Sequence, residues 1–339
     1  MYAAPTPVGA VFSEEGNIMI RNYLSGDASA LLDIWNTAGV RDGFAALDAE
    51  DFDRILLKNP DFHPEFTFVL EEDGKILGFC NGTTGDHIHR GHERGYVSCC
   101  LLADEVNTDE NTAALLDALE DAFRASGRIH AAVTCFNPIR LPWVIPGTEN
   151  HQHNNAPGIA INIPLYERML RRGYREGSRE RAMYLNLADF QMPAWVEEKE
   201  AKMAALGHTV ARYDAAVHTG LEEMVESLGN PMWSAEIPEA GRTGMDLLVA
   251  LEGNVCAGFT GPVYPEKTGR GYFAGIGVGP SFGKKGFGTL LFYRLLKREK
   301  EVGSQYMSLF TGEENHAGNI YLGAGFRVVR RFAVMLKEL

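Results

Sequence analysis

The sequence predicts an α/β (α+β) protein in which one domain pattern is laid down twice. Three observations predict it. First, 339 residues, at roughly 150 per domain, make about two domains. Second, strand, helix, hairpin, strand, helix and strand recur in the same order in each half. Third, residues recur with the pattern. Gly78-Phe79 answers Gly258-Phe259 in the hairpins, and Arg94-Gly95-Tyr96 answers Arg270-Gly271-Tyr272 where each central strand opens. Leu115-Leu116 answers Leu290-Leu291 in the helices.

In the first half, residues 18–23 read as a short strand and 27–37 as an amphipathic helix, with Leu31, Leu32, Ile34 and Trp35 on its apolar side. Residues 66–70 and 75–81 read as strands joined by Glu72-Asp73-Gly74, a hairpin turn. A strand follows at 95–102, and then a helix at 112–125 that Gly127 ends. The strand at 129–136 leads into about 28 residues rich in Pro, Asn and His, 137–164, ahead of a helix at 165–172. A long irregular segment inside a domain is commonly functional or mobile. In the second half, strands are expected at 208–213, 246–252, 255–261, 271–278 and 306–311, and helices at 219–228 and 286–300. A short helix ending at Gly323 and a final strand pair at 327–337 complete that copy. The spacing of matched residues falls from 180 (Gly78 to Gly258) to 152 (Gly173 to Gly325), because the first copy carries the 137–164 insertion. Domains are therefore expected at 17–190 and 207–339, with a linker near 189–207 where Met192-Pro193 breaks the chain.

The charge narrows the partners. The chain has 32 Lys+Arg against 45 Asp+Glu, a formal net charge of −13. Nucleic acid and anionic membrane surfaces both select a positive face, so neither is expected as a partner. No apolar run approaches the ~20 residues of a membrane helix. Residues 1–17 lack a basic segment ahead of an apolar core, so no secretory signal is expected. Five cysteines without framework spacing read as reduced thiols, which points to a cytoplasmic protein.

The residues that carry chemistry stand at one strand–helix junction, Val278-Gly279-Pro280-Ser281-Phe282-Gly283-Lys284-Lys285-Gly286-Phe287-Gly288-Thr289. Glycines there let backbone N–H groups converge, and the helix N-terminus adds the positive end of its dipole. Such a loop is an anion nest suited to a pyrophosphate. Six basic residues and one acid between Ser281 and Lys300 give a local +5 on a chain of −13. The alternative is a plain glycine-rich turn with a solvated lysine pair. No Gly-Lys-Ser/Thr closes the loop, so it is not a Walker loop, and its glycine spacing is not that of a dinucleotide fingerprint.

This segment resembles motif A of the GNAT superfamily of acetyl-CoA-dependent N-acetyltransferases, through Val278, Pro280, Phe282, Gly286 and Gly288. Gly283 stands where that pattern has Gln or Arg. The tail from Asn315 through Ala317 and Tyr321 to Gly325-Phe326 is similar to the superfamily's motif B. The resemblance covers about 207–339 strongly and 18–187 by element order and a few residues, an arrangement similar to the tandem mycothiol-synthase-like proteins. It implies a tandem duplicated GNAT fold, each copy a mixed, mostly antiparallel central sheet flanked by helices. It implies acetyl-CoA as co-substrate and no metal, with Gly283, Lys284, Lys285, Gly286, Phe287, Gly288, Thr289 and Asn315 around the cofactor. Free backbone groups of Ile276, Gly277 and Val278 would pair with its pantetheine arm. A neutral amine would attack the thioester directly, and Tyr321 would protonate the departing thiolate.

Glu236, Glu266, Glu313 and His316 are all available as base, and the sequence does not choose among them. Tyr321 also reads as a half-buried packing residue. No Ser/His/Asp or Cys/His set suggests an acyl-enzyme, and Cys256 reads as buried in its strand. His87, His89 and His92 read as a solvated loop rather than a metal site, and His151 and His153 as part of a polar loop. Aligning the two leucine pairs puts Asp109 and Glu110 where Lys284 and Lys285 stand, with all three glycines gone. The first copy is thus expected to be degenerate, and chemistry is expected only in the second. The leading reading is an acyl-CoA-dependent N-acyltransferase acting on a small primary amine, as a monomer or homodimer. The alternative is a non-catalytic acyl-CoA-binding or regulatory protein on the same fold.

Overall fold

The computed structural model describes Val11–Phe12 and residues 18–339. The expectation about a secretory signal falls on residues 1–17, almost all of them outside the described residues. The chain divides into two compact units, Met1–Arg181 with Arg330–Leu339, and Ala182–Val329.

The first unit begins with β1 (Val11–Phe12), β2 (Ile18–Asn22), α1 (Ala28–Ile34), α2 (Ala49–Phe52), β3 (Thr67–Glu72), β4 (Lys75–Thr83) and β5 (Arg94–Leu102). It continues through α3 (Asp109–Ala125), β6 (His130–Val133), β7 (Trp143–Val144), β8 (Gln152–His153), β9 (Ile159–Ala160) and α4 (Pro164–Arg171). β10 (Arg175–Asn186) runs from the first unit into the second. The second unit contains α5 (Ala194–Ala204), β11 (His208–Arg212), α6 (Leu221–Glu226), α7 (Pro231–Arg242), β12 (Leu248–Glu252) and β13 (Val255–Thr260). It ends with β14 (Ile276–Val278), α8 (Phe287–Glu301), β15 (Tyr306–Gly312) and α9 (Ala317–Gly323). β16 (Arg327–Glu338) crosses back.

The first unit's sheet runs β1-β2-β3-β4-β5-β6-β16. Every neighbouring pair is antiparallel except β5 with β6. The second unit's sheet β11-β12-β13-β14 is antiparallel throughout. These are mixed, mostly antiparallel sheets with helices packed on them, as the resemblance implied. In α3, Leu115, Leu116, Leu119 and Phe123 fall on one side of the helix and are all fully buried. Burying side chains of this size stabilises by about 1.5–3 kcal/mol each. The repeated Arg-Gly-Tyr has a packing cause. A Cβ on Gly95 would lie 2.3 Å from the Phe123 ring, and one on Gly271 would lie 2.5 Å from Met307 Sδ.

The structure differs from the sequence reading in four places. The end of the second copy belongs with the first unit. Met335, Leu336, Lys337 and Glu338 pair with Val133, Ala132, Ala131 and His130, so β16 covers the edge that β6 would otherwise expose. The division therefore departs from 17–190 and 207–339, and 327–337 is one strand rather than a pair. The central strand of the second copy is three residues long, Ile276–Val278, not 271–278. Helix α7 was not expected, because Pro238 and Gly241 interrupt its pattern. Its start is nevertheless well made, with Pro231 in the first turn and the Asn230 side chain accepting from Met232 N. Finally, 137–164 is packed rather than a polar loop. Trp143 and Ile145 are buried, and His153 lies against Trp143 with their rings 5.6 Å apart and nearly parallel.

Candidate functional site

The loop ahead of α8 has one left-handed glycine, Gly286 (φ +92), at the N-cap. Gly283 takes φ −57, which any residue adopts, so its departure from the Gln/Arg pattern is not forced by the backbone. The other left-handed residue is Lys284 (φ +61), where a side chain costs conformational energy. The sequence reading has the glycines let the N–H groups converge; the structure puts the left-handed backbone at Gly286 and Lys284. From Lys284 to Thr289, no backbone N–H meets a backbone carbonyl among the described residues. Six consecutive donors thus stand at the positive end of a 15-residue helix.

The two lysines are not equivalent. Lys285 Nζ lies 2.6 Å from Glu252 Oε2 and 5.5 Å from the Phe282 ring centre. This ion pair and the nearby His208 hold the Glu252 carboxyl below its usual pKa. Lys284 is exposed and has no ion pair among the described residues. A third lysine, missed in the sequence, reaches the same corner. Lys199 of α5 has its Nζ 2.8 Å from where a Gly286 Cβ would be. Its only signal was the charged, helical stretch that follows Met192-Pro193 in the segment read as a linker, 189–207. That stretch is a helix whose Val196 and Met203 enter the second unit's core and whose Glu200 binds Arg294 of α8.

Above the loop, β14 is hydrogen-bonded on one side only, to β13. Its neighbour on the other side, β15, meets the chain lower down, where Gly271 N donates to Tyr306 O and Arg270 bridges Tyr306. The strands have parted by Ile276, so Ile276, Gly277 and Val278 present an unpaired edge. Tyr321 on α9 is 5% exposed, its ring packed on Phe292 with centres 4.5 Å apart. Burial pushes its phenol up to about 12, so at neutral pH it is a protonated donor. Packing and proton donation are thus compatible in one residue. The Asn315 side chain is engaged at the start of α9, where its Oδ1 accepts from Ala317 N at 2.9 Å.

The four candidate bases are held differently. Glu236 on α7 accepts from the Tyr272 hydroxyl at 2.6 Å. Glu266 pairs with the buried Arg270 at 3.4 Å. Glu313 is partly buried after β15, and His316 is exposed where α9 begins. Aromatic rings gather near Glu236. Tyr264 and Tyr272 stack with centres 4.7 Å apart, and Trp233 donates to Ala274 O at 2.9 Å. Trp233 lies so close to Gly275 that a Cβ there would be 2.5 Å from the ring. The sequence reading missed this aromatic group, because α7 was itself missed.

At the matching junction of the first unit, the helix end is already satisfied. Thr108 Oγ1 accepts from Asn111 N, and Asp109 pairs with Arg168 and Arg171 at 2.8 and 2.6 Å. Cys256 is buried, its thiol pushed up to about 11 by desolvation. In the 86–93 turn, His87 bonds Asp61 at 2.6 Å and the His89 ring lies against Phe136. Among the described residues there is no group of three or more potential metal ligands, and no helix is long and apolar enough to cross a membrane.

Residues 181–326 match the model of the Acetyltransferase (GNAT) family. The chain contains a GNAT acetyltransferase domain. No protein of curated function matches the sequence. Solved structures do match, at identities that establish the fold alone. One is a glucosamine N-acetyltransferase region in a fungal multi-domain GH3 β-N-acetylglucosaminidase, 14% identical with a TM-score of 0.70. The match covers 95% of this chain and 38% of that one, so this chain spans well under half of that protein. A GCN5-related N-acetyltransferase from Sphaerobacter thermophilus is 15% identical, with a TM-score of 0.63 and 95% of both chains covered. A tandem GNAT protein from the clavulanic acid biosynthesis pathway is 16% identical, with a TM-score of 0.57 and 95% and 98% covered. The chain thus shares its fold with GNAT structures that include a tandem protein, and the family match of residues 181–326 supports acyl transfer in general.

Proposed function

We propose that the second unit transfers an acyl group, most simply acetyl, from acetyl-CoA to a small primary amine. The row of six unpaired N–H groups from Lys284 to Thr289, flanked by Lys284, Lys285 and Lys199, carries this reading. It is a site for a diphosphate. The unpaired edge of Ile276, Gly277 and Val278 continues from it as the place for an amide-bearing arm. The amine, losing its proton to a base, attacks the thioester carbonyl. The C–N bond forms, the C–S bond breaks, and Tyr321 gives its proton to the leaving sulfur. Glu236 is the base we favour: it sits beside Tyr264, Tyr272 and Trp233, a carboxylate with aromatic faces that suits a cationic amine. In the first unit Thr108 and Asp109 fill the corresponding helix end, so the reading assigns chemistry to the second unit alone. Tyr321→Phe tests it. The variant should bind acetyl-CoA within about twofold of wild type while thiol release falls roughly 10²-fold. Unchanged thiol release would remove Tyr321 from the mechanism. The second reading, an acyl-CoA-binding protein without turnover, predicts no amine-dependent thiol release in wild type.

A further inference from the structure

In the first unit, β5 and β6 run together only from Arg94–Tyr96 against His130–Ala132. Beyond that the strands part around a cavity of about 70 Å³, part of it open to solvent. At roughly 10–15 Å³ of such space per water it has room for several water molecules, about the bulk of a short-chain acid. Its walls are apolar, with Val97, Leu101, Ile139, Leu141, Trp143 and Phe332 prominent. The insertion 137–164 closes it, which gives that segment a purpose its sequence did not disclose.

The polar groups on the walls are mostly spoken for. Asn137 Nδ2 donates to Ser98 Oγ at 3.0 Å, and its Oδ1 accepts from Ile139 N. The Asp42 carboxylate accepts from Arg41 Nε at 3.0 Å. Arg330 differs. Its guanidinium donates to the carbonyls of Asp42 (2.6 Å) and Gly43 (3.5 Å) and, at 3.4 Å, to Asn162 Oδ1. The rings of Trp143 and Phe332 lie 6.0 and 5.6 Å from it. It has no ion pair with a carboxylate among the described residues. Burial disfavours its charged form, and only the charge of Asp42 opposes that.

We propose that this cavity is a binding site for a carboxylate with an apolar body, the carboxylate pairing with Arg330. Three of the five guanidinium N–H groups are engaged by the oxygens of Asp42, Gly43 and Asn162, which leaves two for a carboxylate at the wall of an apolar chamber. A phosphate dianion fits less well, because one cation would leave one of its charges buried without a partner. The inference does not rest on the acyl-transfer reading, since every wall residue belongs to the first unit.

Calorimetric titration of the full chain with octanoate, octanamide and octanoyl-CoA tests it, with Trp fluorescence as a second readout. Octanoate should bind at least about tenfold tighter than octanamide, the margin of a charge-assisted contact. That comparison needs no variant. Arg330→Gln should remove the preference, and Arg330→Lys should keep part of it. Ala160→Phe, filling the cavity from β9, should abolish octanoate binding, with far-UV circular dichroism checking each fold. The double change Lys284→Glu and Lys285→Glu should leave octanoate binding unaltered. Equal affinity for octanoate and octanamide, no octanoate binding, or loss of it on the lysine changes would each overturn the proposal. So would octanoyl-CoA binding that is lost with Ala160→Phe, since the cavity would then hold the thioester rather than the acid.

Discussion

Reversing the two loop lysines, Lys284→Glu with Lys285→Glu, weighs one helix end against its counterpart in the first unit. Each reversal changes the interaction with a ligand charge by two charge units. At about 5 Å through a water-like dielectric that is roughly 1.5 kcal/mol per lysine, because both side chains face solvent. Two lysines together make about 3 kcal/mol, close to a hundredfold loss in acetyl-CoA affinity. Losing the Lys285–Glu252 pair should cost stability little, since exposed pairs contribute ~0–1 kcal/mol. The matched control is Asp109→Lys with Glu110→Lys. It breaks the pairs of Asp109 with Arg168 and Arg171, so the melting temperature should fall modestly, but acetyl-CoA affinity should move less than about twofold. Titration calorimetry at 50 mM and 300 mM salt measures both, and the lysine effect should shrink at the higher salt. Equal losses from the two double variants would refute the assignment of the nest to the second unit.

Three other outcomes follow from the same geometry. Gly286→Ala must hold a side chain at φ +92 with its Cβ 2.7 Å from Lys199 Cε. It should lower the melting temperature and weaken acetyl-CoA binding about tenfold, the left-handed backbone alone costing roughly 1–2 kcal/mol. Burial pushes the Glu299 carboxyl up from 4.5 to about 8. The native state therefore holds a proton that the unfolded chain releases, and stability should decline as pH rises from about 4.5 to about 8. Glu299→Gln should flatten that slope in denaturant titrations across this range. Glu236→Gln should lower turnover with amines at least about tenfold and leave acetyl-CoA affinity unchanged. A matching loss of affinity would mean that Glu236 shapes the cofactor site instead.

The duplication was legible because hairpin turns and Arg-Gly-Tyr openings are short-range signals, and both recur. The strand–helix junction at 278–289 was legible for the same reason: glycines, lysines and the helix start are contiguous in sequence. What stayed hidden depends on contacts between distant residues. Lys199 lies 87 residues from Gly286, and only the packing of α5 on α8 brings it to the loop. The placement of β16 beside β6 depends on which strand edge is open, and no local pattern records that. Helix α7 was lost to its own Pro238, and the aromatic group around Glu236 was lost with it. The 137–164 segment looked polar because its Trp143, Ile145 and Ile159 are spaced too irregularly to suggest burial.

The most direct test of acyl transfer by the second unit is free-thiol release from acetyl-CoA by the full chain across a panel of primary amines, with mass spectrometry of the products. Transfer as proposed predicts thiol release that depends on the amine and matches one N-acetylated product mole for mole. Tight acetyl-CoA binding with no thiol released by any amine would contradict it.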